Sequence, residues 1–513
     1  MKTFIFITFL LLITGFNAKA QSTFQKLLYS DNFIGEPDIA PANKSDFVIT
    51  GTLLPNLSPA VVAVIDKNGN TKWSKFYSDG VNSFGEPQIV QTSDSGFVLF
   101  ASPTSNDPVL LKLDKAGNVL WSVFLRVTAG ALNGGRLTTD DGNVLITGRY
   151  GADQPVLIKI NAINGKIIFA KALSIHPDGK QPYGASLGVL TTNDGGYIIC
   201  GYTGYTEKFQ SYDYMYFAKL NSEGRFITAK VYNRNSELIS LVKAKGGYIF
   251  TGYNNYNPCY LKIDNRGNVL WSYQISIGKS GYATDIIHND NGTYTFVVNG
   301  ASLANIDEDG NLNWYKRAKY KALLIFGGLC TTADNGLVTI SKNYFSKKDS
   351  CLLLKFDNNG NTCNGVSITK FTADTFTMQP ESMIVDTFDI SKSIMLDKGN
   401  FNTVQMPFYN TGYCNALNIN FPGKQTNTSG ISINVSPNPV SGGKLNCIIQ
   451  NAIAGNMSLT ISNMEGLVMY ERSFVNNEVT VNQQVDASKL HPGLYTIKVA
   501  NGSSRAFAKF MKQ

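Results

Sequence analysis

The sequence predicts an all-β chain: a seven-bladed β-propeller closed by its N-terminal strand, followed by a small C-terminal β-sandwich. Three observations carry this. A phrase built on an Asp-x-x-Gly-Asn turn and a following Trp recurs along the chain. Turn and strand formers are abundant while charge is sparse. The repeat then stops before a second set of short alternating strands. Of 513 residues, 43% are hydrophobic and only 16% charged, against about 25% for an ordinary soluble domain. That balance excludes a disordered polyelectrolyte and a charged coiled coil. The 47 Gly, 30 Phe and 25 Tyr favour strands joined by many turns.

The chain opens with Lys2 and an apolar run from Phe4 to Ile13, then Ala18-Lys19-Ala20. A basic start, a short apolar stretch and an Ala-x-Ala end read as a secretory signal peptide over residues 1–20, cut between Ala20 and Gln21. The run is shorter than the roughly 20 residues of a membrane span. No later stretch reaches that length, so no transmembrane segment is expected. Net charge is +8 without a basic block, which argues against nucleic acid.

Residues 64–73 and 112–121 carry the same phrase, which returns at 262–271 and 305–314. With weaker copies, its anchors are Asp66, Asp114, Asn161, Asn221, Asp264, Asp307 and Asp357, spaced by 43 to 60 residues. Each unit reads as four strands, a to d; in the second these are 87–92, 97–101, 109–113 and 119–125. Four strands at such a period mark a β-propeller, and the copy number sets seven blades. Residues 24–29 read as a lone strand d, and the seventh unit lacks its own. The first strand therefore completes the last blade, removing exposed edges. A parallel β-helix is the alternative, but its turns are shorter. The propeller is expected over 21–370, an irregular extension and linker over 371–430, and a new domain over 431–513.

That last stretch resembles the type A C-terminal sorting domain of the type IX secretion system. The likeness rests on Pro437-Asn438-Pro439, the Asn463 to Gly466 turn, the strand with Gly493 and Tyr495, and the basic last strand with Lys509 and Lys512. It implies a Bacteroidetes source, passage through the periplasm, engagement of the type IX secretion machinery, and release or attachment at the outer-membrane surface. The repeats resemble uncharacterised propellers carried by such cargo, which names no activity.

The seven cysteines form no CxxC pair and suggest no zinc site. Export permits disulfides, and Cys363 and Cys414, flanking the irregular stretch, are the expected bridge. Trp73, Trp121, Trp271 and Trp314 each follow an anchor by seven residues, so they are blade packing. The anchor turns lack the ligand count of a calcium loop, so neither metal nor cofactor is expected.

Glu36, Glu86 and Glu237 each precede the first strand-b aromatic (Phe47, Phe97, Tyr248) by eleven residues. They are expected at equivalent places at the entry to strand a, near the central channel. They are weak catalytic candidates, since paired carboxylates hydrolyse glycosidic bonds. Strand parity places the variable b–c and d–a loops on one face. The b–c loops are aromatic, notably Tyr202, Tyr205, Tyr212, Tyr214, Tyr253 and Tyr256, which suits a glycan or a surface protein. The expectation is a monomeric, secreted or surface-attached binding module without catalysis. The alternatives are a polysaccharide hydrolase or lyase and a structural adhesion component.

Overall fold

The computed structural model describes residues 23–412 and 431–512, apart from short stretches at 30–32, 44, 55–58, 104–106, 128–130, 152–153, 178, 181, 209, 278–279, 300–301, 319–327, 344–349, 364, 369–372, 406–408, 439, 441–442, 464–467, 492 and 502–503. The signal segment, with Ala20 and Gln21, lies outside the described residues. Two compact units divide the chain, Met1–Ala416 and Leu417–Gln513. Among the described residues no helix is long and apolar enough to cross a membrane.

In the first unit, the described strands form seven antiparallel sheets. The second has strand a at Phe84–Gln91, b at Phe97–Pro103, c at Val109–Leu113 and d at Val119–Val127, close to the repeat reading. The seventh takes strands from both ends of the repeat. Leu329–Thr331, Leu337–Asn343 and Ser350–Phe356 are followed in space by Phe24–Tyr29, with Phe24 opposite Lys355 and Leu28 opposite Cys351. Each sheet shares an apolar core with the next. Phe24 and Leu28 enter the core joining the seventh sheet to the first, beside Phe47, Ile49 and Leu353. The result is an all-β, propeller-like ring.

The recurring residues do recurring work between neighbouring sheets. In each c–d turn an Asp, or Asn in two copies, accepts backbone N–H groups two to four residues on. Asp114 Oδ1 takes Ala116 and Asn118 at 2.8 Å each. The turn Gly has positive φ, +78° at Gly117, as a hairpin bulge requires. Its open flank is covered by the preceding sheet. Trp73 packs on Gly117, Trp121 on Gly165, Trp271 on Gly310 and Trp314 on Gly360, while Phe24 covers Gly69. Lys26 and Lys75 add bonds to the next turn, at 2.9 Å to Asn70 Oδ1 and 2.9 Å to Asn118 Oδ1. The Trp thus bolts one sheet to the next, as the repeat implied, and the anchor carboxylates are committed to their own turns.

Residues 366–412 depart from the expected irregular extension. They run backwards around the ring as a belt, adding an outermost strand to each sheet beside strand d. Val366–Ile368 joins the sixth sheet, Ala373–Thr375 the fifth, Pro380–Glu381 the fourth and Ile384–Asp389 the third. Ile394–Lys398 joins the second, Asn402–Gln405 the first and Tyr409–Gly412 the seventh, where it pairs with the closing strand Phe24–Tyr29. Between these strands, single apolar side chains plug the clefts. Ile390 and Ile394 are buried between the second and third sheets, and Phe401 packs on Phe84 and Phe124 at 5.8 and 6.1 Å. The belt reads as irregular in sequence because its strands hold only 2 to 6 residues, too few for an alternating pattern.

The second unit has a three-stranded sheet of Ser432–Ser436, Lys444–Gln450 and Thr480–Asp486. Its four-stranded sheet comprises Gly455–Ser462, Val468–Asn476, Gly493–Asn501 and Ser504–Lys512. One apolar core draws on both, from Leu445 and Ile449 to Leu459, Ile497 and Phe510. Tyr495 stacks on Phe510 at 5.6 Å and donates to the His491 carbonyl at 2.9 Å. Pro437 and Asn438 are exposed just after the first strand, and Asn463 is half-buried just after Gly455–Ser462. Pro439 and Gly466 lie outside the described residues.

Candidate functional site

The a strands line a central cavity of about 470 Å³. A register shift interrupts most of them, between Gly35 and Asp38, Gly85 and Gln88, Ser186 and Gly188, and Leu238 and Ser240. The residue just past the shift reaches the cavity, giving Asp38, Gln88, Gly188 and Ser240, joined by Arg136 and Asp285 from the third and sixth sheets. Arg136 crosses the cavity to ion-pair with Asp285, whose Oδ2 also accepts the Leu329 N–H at 3.1 Å. Burial pushes Asp38 up to about 6, against the opposing pull of Arg136 and the Ile39 and Ile89 amides. Burial also lowers Arg136. One guanidinium between two carboxylates leaves no surplus positive charge to attract an anion at this level.

The chemistry at the channel mouth concentrates on the fourth and fifth sheets. Their b–c ends are hairpins, Tyr197–Glu207 with Gln210–Leu220 and Gly247–Asn254 with Asn257–Asp264. Two carboxylates stand there, each held by a tyrosine hydroxyl. Tyr183 donates to Asp213 Oδ1 at 2.5 Å, and Tyr253 donates to Glu237. Burial raises Glu237 to about 7, with the Asp213 charge adding to the shift. Tyr202 packs edge-on to Tyr183 at 6.5 Å. Tyr253 stacks on Tyr256 at 6.2 Å and meets Tyr282 edge-on at 4.9 Å. Tyr256 is 56% exposed. A carboxyl group that titrates near neutrality, ringed by amphipathic aromatics, can accept or donate hydrogen bonds to hydroxyl-rich ligands.

The predicted residues fare unequally. Glu237 lies opposite Tyr253, the register held by Gly35 and Gly85 in the first two sheets. Glu36 and Glu86 fall inside the bulge one residue later, and their side chains lie outside the described residues. The three glutamates are therefore not equivalent. The fifth sheet's a–b turn is shorter, pairing Ala244 with Gly247 where the first pairs Ala42 with Asp46, so counting back from the aromatic slips by one. A slip of one residue changes the face of the sheet.

Tyr205, Tyr212 and Tyr214 use their ring faces on one another. Tyr205 stacks on Tyr212 at 4.8 Å and on Tyr214 at 6.4 Å, and the Arg234 guanidinium sits 4.0 Å from the Tyr212 centroid. They stiffen the long hairpin. Sequence reading missed Asp213, Tyr183 and the Asp38–Arg136–Asp285 level. Asp213 was visible as the one acid amid the tyrosines of 210–217.

Residues 434–513 match the secretion system C-terminal sorting domain family, so the chain carries the export tag of a type IX secretion cargo. This tag implies engagement of the secretion machinery and delivery to the cell surface or beyond. No curated protein matches the chain. Among solved structures, YCF48 from Cyanidioschyzon merolae is similar at 13% identity and TM-score 0.41, covering 66% of this chain and 99% of its own. YCF48 bound to D1 peptide is similar at 10% identity and TM-score 0.40, covering 65% and 94%. A protein of unknown function from Bacteroides caccae is similar at 11% identity and TM-score 0.29, covering 69% and 94%.

Proposed function

We propose that this chain is a secreted or surface-attached binding protein of the type IX route: a seven-bladed propeller with a β-sandwich sorting tail, monomeric and without catalysis. Its ligand, a glycan or surface protein, meets the b–c face at the fourth and fifth blades. The observation that carries this reading is the pair of tyrosine-held carboxylates, Asp213 and Glu237, set among Tyr202, Tyr253 and Tyr256. Aromatic rings take the apolar faces of sugars while carboxylates accept their hydroxyls. Glycan-array and surface-extract binding should be lost on Tyr253→Ala and weakened at least tenfold by Asp213→Asn. Binding that survives both variants rejects the site.

A second reading has one observation in its favour. A carboxylic acid raised by burial to about 7 beside a second carboxyl group, Asp213, suits acid-catalysed cleavage of a polysaccharide. Product release from a polysaccharide panel, abolished by Glu237→Gln while binding persists, would select it. A structural adhesion role would leave both assays silent.

A further inference from the structure

We propose that the rim of the ring bearing the c–d turns docks on a lipid bilayer with anionic headgroups, through the second to fifth sheets. The anchor is a bulge that recurs at the start of strand d. In the second sheet Lys112 faces Trp121 and Leu113 faces Val119, so Leu120 is passed over. The same shift passes over Ile168, Ile227 and Leu270 in the third to fifth sheets. In the first and sixth sheets the bulged residues are Lys72 and Asn313. A bulge leaves its extra residue out of the ladder and re-aims the side chain. Leu120, Ile168, Ile227 and Leu270 are 50–59% exposed. The belt does not pair with strand d there, because it joins three or four residues further on, at 123–127, 171–176, 231–232 and 273–275.

A cation accompanies each of these aliphatic residues. Lys115, Lys166, Arg225 and Arg266 are exposed in the same four c–d turns. Arg225 is shared with Glu223 at 3.0 Å. Lys75 reaches the second turn, at 2.9 Å from Asn118 Oδ1, and Lys230 reaches Gly267 in the fifth. Beyond the fifth sheet both features end together: the sixth turn holds Asp307, Glu308 and Asp309.

Aliphatic tips flanked by cations form the pattern that lies in the headgroup region of an anionic bilayer. Equivalent positions of consecutive sheets follow one rim, which a flat surface can meet at four points. A peptide needs a continuous groove, whereas these side chains stand singly on separate sheets. A second copy docked here would set cation against cation. The c–d turns lie at the opposite end of strand c from the b–c hairpins, so a chain docked this way keeps its mouth free. The inference does not depend on what the mouth binds.

Flotation of residues 21–513 with vesicles tests this. Vesicles of equal phosphatidylcholine and phosphatidylglycerol should carry the chain, and pure phosphatidylcholine vesicles should not. Salt at about 0.5 M should release it. Leu120→Ser with Ile168→Ser, and separately Lys115→Glu with Arg266→Glu, should each weaken binding at least tenfold. Met395→Ser, which removes an exposed apolar side chain from the belt, should leave it unchanged. The substituted side chains are at least half exposed, so the variants should melt with the parent chain. Binding that ignores the rim variants, or that falls equally in Met395→Ser, overturns the proposal. So does a rim that self-associates until Ile227→Ser dissolves the dimer, or one that binds polyglutamate but no vesicle.

Discussion

Strands a to d and the belt strand are joined by the same backbone ladder, yet they are encoded in opposite ways. The inner four come from a repeat whose copies carry the residues that grip the neighbour: a turn Gly, the aromatic that covers it and, at Lys26, Lys75 and Lys316, a Lys that reaches the turn. The belt has no repeat. It is held by single side chains such as Ile390, Ile394 and Phe401, each inserted where two sheets meet. Repetition here marks scaffold, and one-off residues mark closure and chemistry.

The sharpest break between the two regions is a charge placed in each. Leu28 is fully buried in the closing strand, whereas Met395, in the belt, is 51% exposed. Leu28→Asp should cost more than about 4 kcal/mol, because a carboxylate would sit unpaired in an apolar core. Met395→Asp should stay within about 0.5 kcal/mol. Urea unfolding of both variants measures the contrast; similar losses would mean that the belt is as deeply embedded as the ring.

The repeat's grip can be tested at its glycines. A Cβ on Gly117 would lie 2.7 Å from the Trp73 ring, while one on Gly195 meets nothing within 4 Å, and both have φ near the same value, +78° and +76°. Gly195→Ala should cost about 1 kcal/mol from backbone strain alone, and Gly117→Ala about 2–3 kcal/mol because the Trp must also move. Equal costs would show that the Trp does not bear on the turn. On the belt, Phe401→Ala should cost about 2 kcal/mol, less than a fully buried Phe, since the ring is half-buried between Phe84 and Phe124.

The same contrast explains what could be read in advance. The c–d turns were legible because Asp66, Asp114, Asp264, Asp307 and Asp357 repeat a local bonding pattern that depends on sequence alone. The closing strand was legible because residues 24–29 look like a strand d without a unit. The channel level was not, because equivalent positions hold chemically unrelated residues: Asp38, Gln88, Arg136, Gly188, Ser240 and Asp285. Only the strand register brings them together. The mouth was half legible: Tyr202, Tyr253 and Glu237 were singled out. Their partners Asp213 and Tyr183 meet them only through hairpin pairing, and Tyr205 and Tyr212 were spent on each other.

The smallest expected effect separates these buried one-off carboxyls from the repeat's ion pairs by the sign of their pH dependence. Asp38, facing Arg136, is raised to about 6, and Glu237, beside Asp213, Tyr253 and Cys200, to about 7. In the unfolded chain both ionise near about 4. Between these values the folded protein binds more protons, so stability is full below about pH 4 and falls as pH rises to 7. Asp94, held at about 2 chiefly by its bond from Lys112 working against burial, acts oppositely and loses its contribution as pH falls from about 4 toward 2. Glu237→Gln should therefore flatten the decline between about pH 5 and 7, a change of about 1 kcal/mol once solvent screening is allowed for. Asp38→Asn should flatten only its lower part, up to about pH 6. The melting temperature followed from pH 3 to 8 reads all three. An unaltered slope in Glu237→Gln would mean that this carboxyl is ionised in the folded protein and belongs with the surface charges.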